Sequence, residues 1–297
     1  MNAYEYSLTG VENWGRCGVM GIVNVTPDSF SDGGLWLDPG KAVAHGLELA
    51  AGGADVVDVG GESTRPGAAR VPLEEELRRV LPVVRELAAR GVTVSVDTMR
   101  AAVAEAAVEA GARIINDVSG GRADALMVSV AARTGVPFVV MHWRGHSAAM
   151  DGLADYEDVV DEVVGEVARQ LDAMVSAGVD PAQLIVDPGL GFAKGREDDW
   201  ALLARLDAWA RLGRPVLVAA SRKRFLGTLL ADPSTGEPRP ARERDAATAA
   251  VSALAAAKGV WAVRVHDVSA SADAVRVEAA LRRALAGMPV RAGAPTR

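Results

Sequence analysis

The residues of this chain best suited to chemistry come in bursts. The densest is Asn24-Val-Thr-Pro-Asp-Ser-Phe-Ser-Asp32, which follows the apolar run Val19–Met20–Gly21–Ile22–Val23. An apolar run that stops abruptly in polar, turn-forming residues is how a buried parallel strand delivers functional groups at its carboxyl end. The pattern recurs along the chain. Asp58 leads into Gly60-Gly-Glu-Ser-Thr64-Arg65-Pro66-Gly67; later runs end in Asp97-Thr98, Asn116-Asp117 and Met141-His142-Trp143. The last three end in Asp187-Pro-Gly-Leu-Gly-Phe192, Ser221-Arg-Lys223 and Arg264-Val-His266-Asp267.

These types fall into two halves. Asp97, Asn116 and Asp187 suit a flat heterocycle with several N–H groups in a row, because carboxylates accept paired hydrogen bonds and an amide donates or accepts. Asn24, Lys223, Arg264 and His266 suit a phosphate or diphosphate, with room for Mg²⁺ on oxygen ligands. Each residue taken singly has a plainer reading. Asp97 could cap a helix, Asn116 could satisfy loop backbone, Asp187 could make the turn before Pro188, and Arg264 could form a structural ion pair. His142 has no evident partner and reads as structural. There is no G-x-S-x-G, no H-E-x-x-H and no cysteine-rich metal motif. The chemistry therefore rests on binding and charge stabilisation rather than a side-chain nucleophile.

The elements that must hold these groups alternate. Strand-like runs are expected at Gly18–Val25, Ala54–Val59, Val92–Val96, Arg113–Val118, Pro137–His142, Leu184–Pro188, Pro215–Ala219 and Val260–Val265. Helical spacing lies between them, as in Lys41–Ala51, Leu73–Ala89, Ala101–Ala110, Tyr156–Ala177 and Asp245–Ala257. Gly53, Gly91, Gly111, Gly135, Gly178, Gly213 and Gly259 each precede a strand and fit left-handed helix ends. Eight β–α units predict an α/β fold, the single-domain (β/α)8 TIM barrel, with active groups at the strands' carboxyl ends. A doubly wound open sheet is the alternative; the missing G-x-G-x-x-G weakens its dinucleotide-binding form. The expected organisation is an extension over 1–17, the barrel over 18–286 and a frayed tail over 287–297, with a loop insertion at Asp232–Arg244 before the seventh helix.

Composition sets the class. Hydrophobic residues make up 49% of 297 and the net charge is −7, which argues against a nucleic-acid or anionic-membrane binder and leaves any anion to a local basic cluster. One cysteine, Cys17, cannot form an internal disulfide and suits a reducing compartment. No run reaches the ~18–20 apolar residues of a membrane span. Met1 to Trp14 carries two glutamates and no apolar core, so no signal peptide is expected and cytoplasmic residence is the default. Lysine is scarce, with only Lys41, Lys194, Lys223 and Lys258 among many arginines.

The bursts at Asn24–Asp32, Gly60–Gly67, Ser95–Thr98, Ile115–Gly121, Asp187–Phe192, Ser221–Gly227 and Arg264–His266 together resemble the motifs of the dihydropteroate synthase family, in order, over roughly Val19 to Ala286. The resemblance is strongest to actinobacterial members. It implies a transferase of folate biosynthesis, the target of sulfonamides. 4-Aminobenzoate displaces the diphosphate of 6-hydroxymethyl-7,8-dihydropterin diphosphate, giving 7,8-dihydropteroate, with Mg²⁺ as cofactor and a dissociative displacement. Carried onto this sequence, it implies that Asp97, Asn116, Asp187, Phe192, Lys223 and Arg264 bind the pterin. Asn24, Thr64, Arg264 and His266 would meet the diphosphate, and Asn24 the metal. Asp32, Thr64, Arg65, Pro66 and Lys223 would serve the aminobenzoate side and its loops. It also implies a homodimer through late helices, with which the Ala-rich Asp245–Ala257 is compatible. Two rivals share the pterin residues: a pterin-binding methyltransferase domain, which needs no diphosphate site, and a non-catalytic pterin-binding paralogue.

Overall fold

The structure is a computed structural model that describes residues 8–26, 38–62, 70–145, 150–195 and 197–289. Its strands are β1 (Gly18–Asn24), β2 (Val56–Gly60), β3 (Val94–Asp97), β4 (Ile114–Asp117), β5 (Phe138–Met141), β6 (Leu184–Asp187), β7 (Leu217–Val218) and β8 (Ala262–Val265). All pair in parallel, in the order β6-β5-β4-β3-β2-β1-β8-β7. A parallel bridge between Val186 and Val216 joins the two ends, and the Val186 N–H donates to Pro215 O at 2.9 Å. The sheet is therefore a (β/α)8 barrel.

Side chains alternate along a strand, so every second residue faces the barrel interior. The outward set, including Val57, Val59, Val94, Val96, Ile115, Phe138, Val140 and Val186, forms the large core beneath the helices. The inward set changes character along the strands. Its lower layer is apolar: Met20, Val56, Ile114, Val139, Ile185, Leu217 and Ala262, closed from below by Leu8 and Trp261. Two residues further on, the inward positions of five strands become Asp58, Asn116, Asp187, Arg264 and, above Ser95, Asp97. The fold holds this polar layer over a floor that needs no polar partner.

Residues 8–17 belong to that floor. Leu8 bridges to Val11, and the Trp14 ring lies 5.7 Å from that of Trp261. Gly18 is required there, because a Cβ would sit 2.1 Å from the Trp14 ring. Cys17 is wholly buried, and burial pushes its thiol far up.

The helices are α1 (Pro39–Ala51), α2 (Leu73–Ala89), α3 (Ala101–Glu109), α4 (Met127–Thr134), α5 (Val159–Ser176), α6 (Asp198–Ala204), α7 (Arg224–Leu229), α8 (Asp245–Ala257) and α9 (Val268–Leu285). The seven glycines expected at helix ends all have positive φ, from +61° to +115°. Three expectations differ in detail. The fifth helix starts at Val159 rather than Tyr156, because Asp158 caps it by accepting from the Val160 and Asp161 N–H groups. The seventh strand shrinks to Leu217–Val218. The short helix α7 goes unmarked by periodicity, so the Asp232–Arg244 segment precedes the eighth helix. Among the described residues, no helix is long and apolar enough to cross a membrane.

Candidate active site

The polar layer is built around one guanidinium. Strand pairing places Arg264 beside Met20, Ile22 beside Asp58 and Gly60 beside Asp97, so three strands converge. Arg264 Nε donates to Asp58 Oδ2 at 2.6 Å and Nη2 to Asp97 Oδ2 at 2.7 Å. From β4, Asn116 Nδ2 donates to the same Asp58 Oδ2 at 2.9 Å. Both carboxylates and the amide are buried. Burial pushes Asp97 up to about 7 against the pull of Arg264, with Asp58, Asp117 and Glu76 adding to the rise. Gly60 lies at the mouth between Asp97 and Asn24, where a Cβ would make ordinary contacts 3.4 Å from Asp97 Cβ and 3.7 Å from Asn24 Oδ1.

The opposite wall comes from β6 and β7. Asp187 spends one oxygen on its own turn, accepting from the Gly189 N–H at 2.7 Å. Burial raises its pKa, and Lys223 opposes the rise. Lys223 Nζ donates to Leu190 O and lies 4.9 Å from the Phe192 ring centre. Burial pushes Lys223 down to about 8, with Asp187 and Asp199 pulling it back. Gly191 is the residue that lets this lysine pass: its φ is +73° and a Cβ would meet Lys223 Cδ at 3.1 Å.

Lys223 is held from behind. Its neighbour Arg222 has φ +58°, an unfavourable backbone for a side chain with a Cβ. Asp245 fixes it with two bonds of 2.7 Å. The buried Arg244 donates to Arg222 O at 2.8 Å, to Lys223 O at 3.2 Å and to Arg239 O at 2.6 Å.

Asn24 ends β1 at the same mouth, and its amide makes no hydrogen bond among the described residues. His266 follows β8. Ser221 Oγ accepts the His266 backbone N–H at 3.1 Å and lies 2.9 Å from Nδ1, which sets the tilt of the ring. The structure thus brings Asn24, Asp97, Asn116, Asp187, Phe192, Lys223, Arg264 and His266 to one end of the barrel. Asp32, Thr64, Arg65 and Pro66 lie outside the described residues. Asp117 does not join the mouth; it accepts from the Ser119 and Gly121 N–H groups and ties down its own loop.

Two groups escape the sequence reading. Asp58 was visible only as a charge inside the apolar run Val56–Val59, the one signal that it faces a polar interior. Lys194 is the other, flagged only by the scarcity of lysine. Its Nζ bonds His142 Nδ1 at 2.9 Å and Phe192 O at 2.9 Å, and His142 Nε2 lies 2.9 Å from Glu166 Oε2. Burial pushes Lys194 down to about 7 and, with the nearby Lys194 charge, pushes His142 down to about 3. His142 is therefore a neutral structural link, as its plainer reading has it.

Comparison with known proteins follows this geometry. Residues 20–266 match the family model of pterin binding enzymes. The dihydropteroate synthase of Mycobacterium leprae (strain TN) is 57% identical over 260 residues, covering 87% of this chain and 91% of that protein. The dihydropteroate synthase of Xanthomonas albilineans, solved with 4-aminobenzoic acid, superposes with a TM-score of 0.81 at 46% identity over 92% of this chain and 94% of that one. The Yersinia pestis dihydropteroate synthase, solved with a sulfonamide drug, superposes with a TM-score of 0.87 at 38% identity over 93% and 98%.

Proposed function

Because this chain belongs to the dihydropteroate synthase family of pterin binding enzymes, we propose a division of labour for its strand-end residues. The reaction joins 6-hydroxymethyl-7,8-dihydropterin diphosphate to 4-aminobenzoate, releasing diphosphate. The observation that carries the assignment is the buried layer in which Arg264 bridges Asp58 and Asp97 while Asn116 and Asp187 face the same mouth.

Asp97, Asn116 and Asp187 hold the N–H-rich edge of the pterin, with Lys223 and Phe192 flanking it. Arg264 packs on the ring and, with His266, Asn24 and Thr64, holds the diphosphate. Asp32, Thr64, Arg65 and Pro66, with the start of α7 after Lys223, form the aminobenzoate side. When the C–O bond to diphosphate breaks, its electron pair leaves with the phosphate oxygen. The amine lone pair then forms the C–N bond and the amine proton passes to solvent. Fixed carboxylates beside the ring stabilise the cationic methylene, and fixed basic groups stabilise the leaving group, so the barrel works by electrostatic preorganisation.

The donor chemistry at the mouth fits Mg²⁺. The ion prefers oxygen ligands, keeps several waters, and is commonly held by one or two protein oxygens plus substrate phosphates. Asn24 Oδ1, on the mouth side of Gly60, is the oxygen that would hold it. Bound there, Mg²⁺ would neutralise charge on the departing diphosphate.

A homodimer is part of the proposal. Val277, Leu281 and Leu285 recur every fourth residue on α9 and are 69%, 61% and 82% exposed, with Leu254 on α8 69% exposed. A stripe of this kind suits a self-complementary apolar contact. Cytoplasmic residence is also part of the proposal, and the lone, buried cysteine suits a reducing compartment.

The test is turnover. Purified protein given both substrates and Mg²⁺ should release pyrophosphate and dihydropteroate in equal amounts, with a sulfonamide competing against 4-aminobenzoate. Pterin binding without turnover would sink the enzymatic reading.

A further inference from the structure

Asp58 is the least accounted-for group in the layer. It is fully buried, yet one oxygen takes both of its hydrogen bonds, from Arg264 and Asn116. The other, Oδ1, is buried and has no partner among the described residues. A half-satisfied buried carboxylate costs stability, so packing does not explain its presence. What it does do is geometric. By accepting from Asn116 Nδ2, it fixes which end of that amide is nitrogen and which is oxygen. The remaining Asn116 N–H and the Asn116 oxygen, which accepts no hydrogen bond among the described residues, are then left for the mouth as a donor–acceptor pair. By accepting from Arg264 Nε, it also fixes the plane of the guanidinium between two strands.

We infer that Asp58 is a specificity-determining positioning residue: its carboxylate locks the amide of Asn116 in the polarity that reads the amino-bearing edge of the pterin. The inference rests on the functional reading above and goes one residue beyond it. Without the lock, an amide can turn over and offer its nitrogen where its oxygen was, at little steric cost. A ligand carrying an amino group would then lose its acceptor, and an analogue carrying a carbonyl in its place would gain a donor.

The substitution Asp58→Leu keeps the branched shape and leaves no acceptor, whereas Asp58→Asn would keep one oxygen able to take both bonds. Asp58→Ala is the second variant. Arg264 retains Asp97 in it, so no buried cation is left without a partner. The probes are pterin and lumazine, which differ in carrying an amino or an oxo group at one ring carbon, titrated by calorimetry. Wild type should prefer pterin. In both variants the preference should fall by about tenfold, while the KM for 4-aminobenzoate stays unchanged and the KM for the pterin substrate rises. A folded variant that keeps the wild-type preference within twofold would overturn the inference. A wild-type protein that binds neither probe would instead overturn the functional reading.

Discussion

Replacing Arg264 by alanine tests the site and the fold together. Arg264 is the shared partner of two carboxylates whose side chains are 0% and 7% exposed, and it is itself only 17% exposed. Its removal strands both Asp58 and Asp97 in the barrel. Breaking a buried pair by deleting one partner costs about 3–5 kcal/mol. For a domain of this size each kcal/mol lowers Tm by about 2–4 °C, so the loss should be roughly 6–20 °C. The cost should depend on pH, and its sign is fixed by Asp97. A carboxylate raised to about 7 in the folded state contributes its stability below its unfolded value and loses it as pH climbs through the folded value. Arg264 is the charge that holds Asp97 down, so in the variant Asp97 titrates still higher. The deficit should be largest at pH 8 and shrink towards pH 5.5, where Asp97 is protonated in both proteins. Urea unfolding at the two pH values is the assay, with pyrophosphate titration beside it. A deficit below about 1 kcal/mol, the range of an exposed pair, or one equal at both pH values, would refute the reasoning. Normal pyrophosphate binding in a folded variant would leave Arg264 with the structural role alone.

Asp187→Asn should weaken pterin binding by about 1–3 kcal/mol with 4-aminobenzoate affinity little changed, as calorimetry would show. The alkaline limb of kcat/KM for the pterin substrate should fall near the Lys223 value of about 8. In Asp187→Asn it should move to lower pH, since the lost carboxylate is what pulls the lysine up. Lys194 is pushed down to about 7, so wild-type stability should decline as pH falls from 10 through 7; Lys194→Met should flatten that slope in a pH series of unfolding curves. Gly227→Ala places a Cβ 2.4 Å from the Arg244 guanidinium. It should dislodge the support behind Lys223, raising KM for the pterin substrate and lowering Tm, whereas an unchanged KM would free Lys223 from that support.

The barrel was legible because its strands are apolar on both faces except at their ends, and because glycine marks nearly every return from helix to strand. Leu73–Ala89 and Asp245–Ala257 fall where their periodicity places them. The strand-end residues were legible for the same reason, since a polar side chain closing an apolar run has little else to do. What the sequence hid were relations across the barrel. Only its charge among valines hints that Asp58 faces inward, and nothing local names its partners, which lie 58 and 206 residues away. The plainer readings of Asp187 and Arg264 hold, and they leave atoms free for the proposed roles. Asp187 makes its turn with one oxygen and keeps the other, and Arg264 is an ion pair whose remaining donors stay with the mouth. Helix α7 was hidden because six residues are too few to show a period.

The charge balance of the mouth connects stability to chemistry. Among the described residues of the layer, Asp58, Asp97 and Asp187 stand against Arg264 and Lys223, an excess of carboxylate in a place that water scarcely reaches. The upward shifts of Asp97 and Asp187 and the downward shift of Lys223 show what this costs before any ligand arrives. The outer core and the apolar floor must supply the stability that the layer withholds, which is why the polar residues begin only two positions above Val56, Ile114, Ile185 and Ala262. On the proposed mechanism the same excess would become favourable when diphosphate leaves and positive charge develops on the pterin methylene, because fixed carboxylates in low dielectric would then meet a cation without reorganising. An apolar mouth would make a more stable barrel and would leave that cation without a counter-charge.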